Sequence, residues 1–282
     1  MSYFIKVLSA TITKVFLRRF CMLKNSVAVI TGSGRINGIG ASTAKLLAEQ
    51  GCNIVINTLK NKEQADSIIL ECRQKGVEAE LFVGDLSDQK NCVDLAEFVK
   101  SKFGRADILV HCIGATKSAS YEKLSQLNAE DFAKLFSINA TSIYLMAMAF
   151  QDLLKASGSG VIVNVTSSSG ITGKGSSIAY AASKGAANTL TLSLAQALSP
   201  EIRVNAVCPS FVDSSWWEES FKGKEDKYSS LLNTMKDNNL LFRVLKPENV
   251  ASLILAIVQN PGMTGELIRL DAGAHLGKGN AR

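Results

Sequence analysis

Three residues of this sequence could act together on one oxygen atom: Ser167, Tyr180 and Lys184. In Tyr180-Ala181-Ala182-Ser183-Lys184 the phenol and the ammonium stand at i,i+4, which on a helix sets them one turn apart on the same face. A free tyrosine titrates at about 10, and a neighbouring cation is one of the few means of making a phenol a proton donor and acceptor near neutrality. Ser167 follows the apolar run Gly160 to Val165 and could hydrogen-bond the same oxygen. Such convergence describes a carbonyl or carbinol site. A tyrosine four residues before a lysine is by itself the pattern of a solvated helix face, but the surroundings reverse that reading.

Those surroundings are elements that would hold the three groups. An apolar strand, Val161 to Val165, runs into the small polar turn Thr166 to Gly170; Ala186 to Leu198 reads as an Ala/Leu-rich helix; Ile202 to Pro209 reads as a second apolar strand. The same alternation runs through the chain. Strands are expected at Val27–Thr31, Asn53–Asn57, Glu78–Val83, Ile108–His111, Gly160–Val165, Arg203–Cys208 and Glu266–Leu270. Helices are expected at Ala41–Gln50, Lys62–Lys75, Lys90–Phe103, one long Ala129–Lys155, Ser183–Leu198 and Pro247–Gln259. This is an α/β pattern: a doubly wound sheet of about seven parallel strands with helices on both faces, whose ligands bind beyond the carboxyl ends of the strands.

Composition bounds the rest. A chain of 282 residues with 46% hydrophobic content and no linker or low-complexity tract fits one α/β domain. Six cysteines without a Cys-x-x-Cys pair, and only two histidines, give no support for a metal site and point to a reducing compartment. The formal charge is +6, of which Lys6, Lys14, Arg18 and Arg19 supply +4, so nucleic acid is not an expected partner. Residues 1–21, basic, apolar and free of acids, read either as a targeting or membrane-surface segment or as an upstream extension without a role; residues 22–282 form the expected catalytic domain. The expected location is cytoplasmic, with a mitochondrial or membrane-associated one following if residues 1–21 are a targeting segment.

Between the first strand and the first helix lies Thr31-Gly-Ser-Gly-Arg-Ile-Asn-Gly-Ile-Gly40. Glycines allow backbone to approach a ligand closely, and the N–H groups of a helix start favour phosphate. The run does not match Gly-x-Gly-x-x-Gly. Taken with the Ser/Tyr/Lys constellation, it makes the chain from Met22 to Leu276 resemble the classical short-chain dehydrogenase/reductase family, most closely its 3-oxoacyl-(acyl-carrier-protein) reductase branch. The resemblance implies a Rossmann-type fold. Its Thr-Gly-x-x-x-Gly-x-Gly loop corresponds to Thr31-Gly32 and Gly38-Ile39-Gly40, with five residues between them where the family has three. Either two residues are inserted, or Ser33-Gly34 takes the place of Thr-Gly.

The resemblance also assigns roles. Gly32, Gly34, Arg35, Gly38, Ile39 and Gly40 would meet the phosphates; Asp85 and Leu86, after the third strand, would approach the adenine; Pro209, Val212 and Ser214 would contact the nicotinamide carboxamide. His111-Cys112-Ile113-Gly114 stands where the family has Asn-Asn-Ala-Gly, and only Gly114 matches. Asn139 corresponds to the asparagine that in relatives fixes a water beside the lysine. Tyr180 would donate a proton to the nascent alkoxide, Ser167 would orient that oxygen, and Lys184 would lower the tyrosine pKa and bind ribose hydroxyls.

Cofactor choice follows from the end of the second strand. Asn57-Thr58-Leu59-Lys60 offers no acid to bind a ribose 2′-hydroxyl, and Arg35 lies in the glycine loop, so NADP(H) is expected over NAD(H). Residues 213–242, with Trp216, Trp217, Phe221, Tyr228, Leu231, Leu232 and Met235 among lysines, correspond to the substrate lid and would suit an acyl chain carried on acyl-carrier protein or coenzyme A. Alcohol, sugar and steroid dehydrogenase branches share the same motifs. Relatives form tetramers, so a homo-tetramer or dimer is expected. The reading from a different class is a non-catalytic NADP-binding sensor or scaffold, favoured by the altered loops and opposed by the intact Asn139, Ser167, Tyr180 and Lys184.

Overall fold

The computed structural model describes residues 23–277, so the extension at residues 1–21 lies outside the described residues. The strands are β1 (Val27–Ile30), β2 (Asn53–Thr58), β3 (Ala79–Val83), β4 (Ile108–His111), β5 (Gly160–Val165), β6 (Ile202–Pro209) and β7 (Leu267–Leu270). They form one parallel sheet in the order β3-β2-β1-β4-β5-β6-β7. Each strand end falls within one residue of its sequence expectation. Central strands of a parallel sheet are covered on both faces and therefore read as continuous apolar runs. Val27–Ile30 and Gly160–Val165 are buried at every position.

The helices are α1 (Ile39–Glu49), α2 (Lys62–Arg73), α3 (Gln89–Phe103), α4 (Ala129–Phe136), α5 (Ser142–Ala156), α6 (Ile178–Leu198), α7 (Ser215–Ser220), α8 (Glu225–Asn238) and α9 (Pro247–Gln259), with a single helical turn at Ser169–Thr172. Alternate strand residues feed two cores. Ala28 and Ile30 pack with Ala44, Leu47, Ile68 and Ile254 of α1, α2 and α9. Val27 and Val29 pack with Leu95, Val99, Met146, Phe150 and Leu194 of α3, α5 and α6. Chain order reverses between β1 and β4, which opens a crevice at the carboxyl ends of those strands.

One expectation is refined and another corrected. The long helix expected at Ala129–Lys155 is present, running on to Ala156, and widens into a π-helical turn at Ser137–Thr141. Its polar groups are claimed from outside the helix: Asn139 by the strand loop at Ala115, and Ser142 by His111. The helix expected from Ser183 begins instead at Ile178, because the Ser177 side chain caps it by accepting the N–H of Tyr180.

Candidate active site

The cap at Ser177 sets Tyr180 in the first turn of α6, where the positive end of the helix dipole favours a developing phenolate. One turn on, Lys184 is buried, and its Nζ donates to the Val165 carbonyl at 3.3 Å. Ser167 leaves the end of β5, and its Oγ accepts the Ser169 N–H at 3.1 Å. The turn that follows packs directly on α6. A Cβ at Gly170 would lie 2.4 Å from the Lys184 carbonyl carbon, so only glycine permits this approach. Ser167, Tyr180 and Lys184 thus share the wall of one cavity.

Burial raises the Tyr180 pKa above the ordinary phenol value, with the Ser167 hydroxyl pulling the other way. The lowering expected from Lys184 is not found in the protein alone, where loss of water around the phenolate outweighs the Ser167 hydrogen bond. Burial also lowers Lys184 to about 8, against the opposing pull of the Cys112 and Cys208 thiols. Close to neutrality the ammonium is therefore still the main form.

Asn139 stands behind this wall. Its Oδ1 accepts the Ala115 N–H at 2.8 Å, and its Nδ2 donates to the Ala115 carbonyl and to Ser183 Oγ, each at 2.9 Å. The side chain clamps the loop after β4 to the helix that carries Tyr180 and Lys184. The π turn that presents Asn139 is held in turn by His111. Ser142 Oγ donates to the Ile138 carbonyl at 2.6 Å, so it accepts from His111 Nε2 at 2.9 Å. That tautomer leaves Nδ1 to accept from Thr31 Oγ1 at 3.4 Å, while Thr31 Oγ1 accepts the Cys112 N–H at 3.1 Å. These contacts stand where the resemblance places an asparagine motif. Burial holds His111 neutral, with its pKa lowered to about 3.

Thr31 continues β1, its N–H donating to Val110, and Gly32 turns at φ +63° against the Cys112 backbone. Thr31-Gly32 thus opens the loop in space, and Ser33 to Asn37 lie between it and Gly38. The residues between lean on β2 and α2. A Cβ at Gly34 would overlap the Thr58 side chain, and the Ile36 N–H donates to Gln64 Oε1 at 3.2 Å.

The cavity is about 650 Å³, ample for much of a dinucleotide. Its walls include Gly32, Arg35, Gly38, Ile39, Gly40, Gly114, Pro209, Val212 and Ser214. Gly34, Asp85 and Leu86 stand outside its walls: Gly34 faces Thr58, Asp85 accepts from Ser87, and Leu86 is buried in the core. Two features fit a nicotinamide dinucleotide. The N-cap of α1 is Gly38, whose lack of a side-chain cap leaves the helix's first N–H groups for a phosphate. Ser210 and Ser215 are cavity residues with buried hydroxyl oxygens that have no partner among the described residues.

Thr116, Ser118, Lys174 and Ser176 also line the cavity, and sequence reasoning missed them. Thr116 and Ser176 are in hydrogen-bond contact across sixty positions of sequence, a pairing that no local pattern announces. The cavity also has an apolar lining, in which Phe211 and Trp217 stack with centroids 5.1 Å apart.

Comparison with known proteins agrees with this architecture. Residues 32–275 match a family model described as enoyl-(acyl carrier protein) reductase. The chain is 30% identical over 255 residues to a 3-oxoacyl-(acyl-carrier-protein) reductase of Thermotoga maritima, covering 89% of this chain and 98% of the relative. It is 32% identical over 260 residues to a 3alpha-hydroxysteroid dehydrogenase of Mediterraneibacter gnavus, covering 90% and 99%. A solved structure from Burkholderia xenovorans, described as a short-chain dehydrogenase/reductase, superposes with a TM-score of 0.82 at 35% identity, covering 90% of this chain and 99% of that one. With its parallel sheet, its glycine loop at the β1–β4 crevice, and Ser167, Tyr180 and Lys184 on one wall, the chain belongs to the classical short-chain dehydrogenases/reductases, oxidoreductases that act on CH–OH or C=O groups with a nicotinamide cofactor.

Proposed function

We propose that this protein is an NADP(H)-dependent reductase of a ketone, with 3-oxoacyl thioesters as its substrate class. The observation that carries the reading is the convergence of Ser167, Tyr180 and Lys184 on one cavity wall, braced by Asn139. When bound, the nicotinamide supplies or accepts a hydride at the carbonyl carbon. The protein's own groups handle the oxygen. Ser167 Oγ and the Tyr180 hydroxyl hydrogen-bond it, Tyr180 donates the proton as negative charge develops, and the Lys184 ammonium with the amino end of α6 stabilises the phenolate left behind. The apolar wall of Phe211, Trp217, Phe221, Leu231 and Met235 would hold an acyl chain and keep water from the reacting carbon.

The NADP(H) preference rests on Arg35, which lines the cavity in a loop packed against the end of β2, where no carboxylate follows. Acyl-carrier protein would deliver the thioester, and a homo-tetramer or dimer is the proposed assembly. Tyr180→Phe tests the mechanism: turnover of a 3-oxoacyl thioester should fall by roughly 100-fold or more with cofactor binding retained, and undiminished turnover would refute it. Arg35→Ala should weaken NADPH about 10-fold or more in a fluorescence titration, the scale of a charge-assisted hydrogen bond, and leave NADH nearly unchanged. Equal losses for both would remove the assigned phosphate contact.

A second reading, oxidation or reduction at a steroid or other bulky alicyclic carbon, is supported by the same aromatic wall. A panel of thioester, steroid and sugar ketones separates the two.

A further inference from the structure

Helix α7 lies across the crevice and touches both of its banks. On the glycine-loop side, Arg35 Nη2 donates to Glu219 Oε2 at 2.5 Å, and the Ser215 N–H donates to the Asn37 carbonyl at 3.1 Å. On the β4 side, the indole of Trp216 rests on Gly114, where a Cβ would lie 3.3 Å from the ring. The root of the helix is tied down separately, since Asp213 accepts from Tyr228 and from Lys246, each at 2.5 Å. Arg35 is therefore already engaged: the guanidinium assigned to the cofactor phosphate is held by a carboxylate of the lid.

We propose that Glu219 is a cofactor-specificity residue, which competes with the 2′-phosphate for Arg35 and so couples recognition of NADP(H) to release of α7. The inference rests on the NADP(H) reading above. A phosphate near neutrality carries more charge than a carboxylate and offers three acceptor oxygens to the guanidinium fork, so it takes Arg35 from Glu219. A 2′-hydroxyl cannot do so. With NAD(H) the ion pair persists and α7 stays across the crevice; with NADP(H) the pair breaks, and Trp216 is free to leave Gly114. The ion pair is partly exposed, with side-chain exposures of 39% for Arg35 and 63% for Glu219, so it is a weak latch that the cofactor itself can open.

The test uses a signal built into the latch. Trp216 and Trp217 are the two tryptophans of the chain and both lie on α7, so intrinsic emission reports the lid. Wild type, Glu219→Gln, Arg35→Ala and the double variant are titrated with NADP+ and NAD+. The expected result is that Glu219→Gln binds NADP+ about two- to fivefold more tightly, the scale of an exposed ion pair. Its NAD+ affinity should be unchanged, its emission before addition should already resemble that of NADP+-bound wild type, and the gain should vanish when Arg35→Ala is added. Wild type that prefers NADP+, with Glu219→Gln improving neither cofactor or both equally, would overturn the competition while leaving the NADP(H) reading intact. Wild type that binds NAD+ as well as NADP+, with Arg35→Ala changing neither, would overturn the reading and the inference with it.

Discussion

His111 shows most clearly what a single residue does here. A buried histidine with no acid partner stays neutral, and its two nitrogens connect Thr31 at the glycine loop to Ser142 behind Asn139. The folded-state pKa, about 3, lies below the value of about 6.5 for a free histidine. Between those values the unfolded chain binds the extra proton, so stability contributed by neutral His111 is present above pH of about 6.5 and is lost as pH falls toward about 3. Urea unfolding of His111→Asn measured from pH 4 to 7 should show a shallower acid limb than wild type, by up to one proton, together with a loss at pH 7 of about 1–3 kcal/mol from the altered hydrogen bonds. An identical acid slope in the two proteins would place the titration elsewhere. The sequence marks His111 as a departure from the family motif, but its partners lie 80 and 31 positions away and become visible only in the folded chain.

At the scale of elements, the π turn between α4 and α5 positions the site without lining the cavity. It turns Asn139 onto both polar groups of Ala115 and onto Ser183, next to Lys184. The hydroxyl of Ser142 satisfies the Ile138 carbonyl inside that turn and receives His111 from outside it. Ser142→Ala leaves the buried His111 Nε2–H without its acceptor, a cost of about 1–3 kcal/mol. The expected outcome is a lower Tm together with a lower kcat at little changed KM, because Asn139 and with it the Tyr180–Lys184 face of α6 shift while the glycine-loop and apolar walls of the cavity remain; a stability loss with unchanged kcat would make the turn purely structural. From sequence this stretch reads as one long helix, since Ser137-Ile-Asn-Ala-Thr141 contains neither proline nor glycine to mark a break. The π turn lies where partners reach in from β4 and α6.

Across the whole molecule, rigidity and motion are separated by burial. β1, β4 and β5 are buried at every position and lie between two packed cores. In contrast, α7 and α8 bury no residue completely. Local opening follows that difference. Amide hydrogen exchange should be slowest in the three central strands and fastest in α7 and α8, and adding NADP+ should change protection chiefly in α7 and the glycine loop. Uniform exchange across sheet and lid would contradict the division. The same separation sets the buried wall that carries Ser167, Tyr180 and Lys184 against the less buried α7 and α8.

The strands, their parallel order of appearance and the Ser/Tyr/Lys spacing are local or periodic properties, so the sequence by itself determined the doubly wound sheet and which side chains stand at the carboxyl ends of its strands. Apolar runs such as Val161-Ile-Val allow little else. Tertiary structure alone decided what those side chains experience. Burial raises Tyr180 and lowers Lys184, His111 replaces the expected asparagine through distant hydroxyls, and Arg35 is claimed by Glu219 from 184 positions away. Desolvation and long-range pairing depend on what else occupies the surrounding space, and that information is spread over the whole chain.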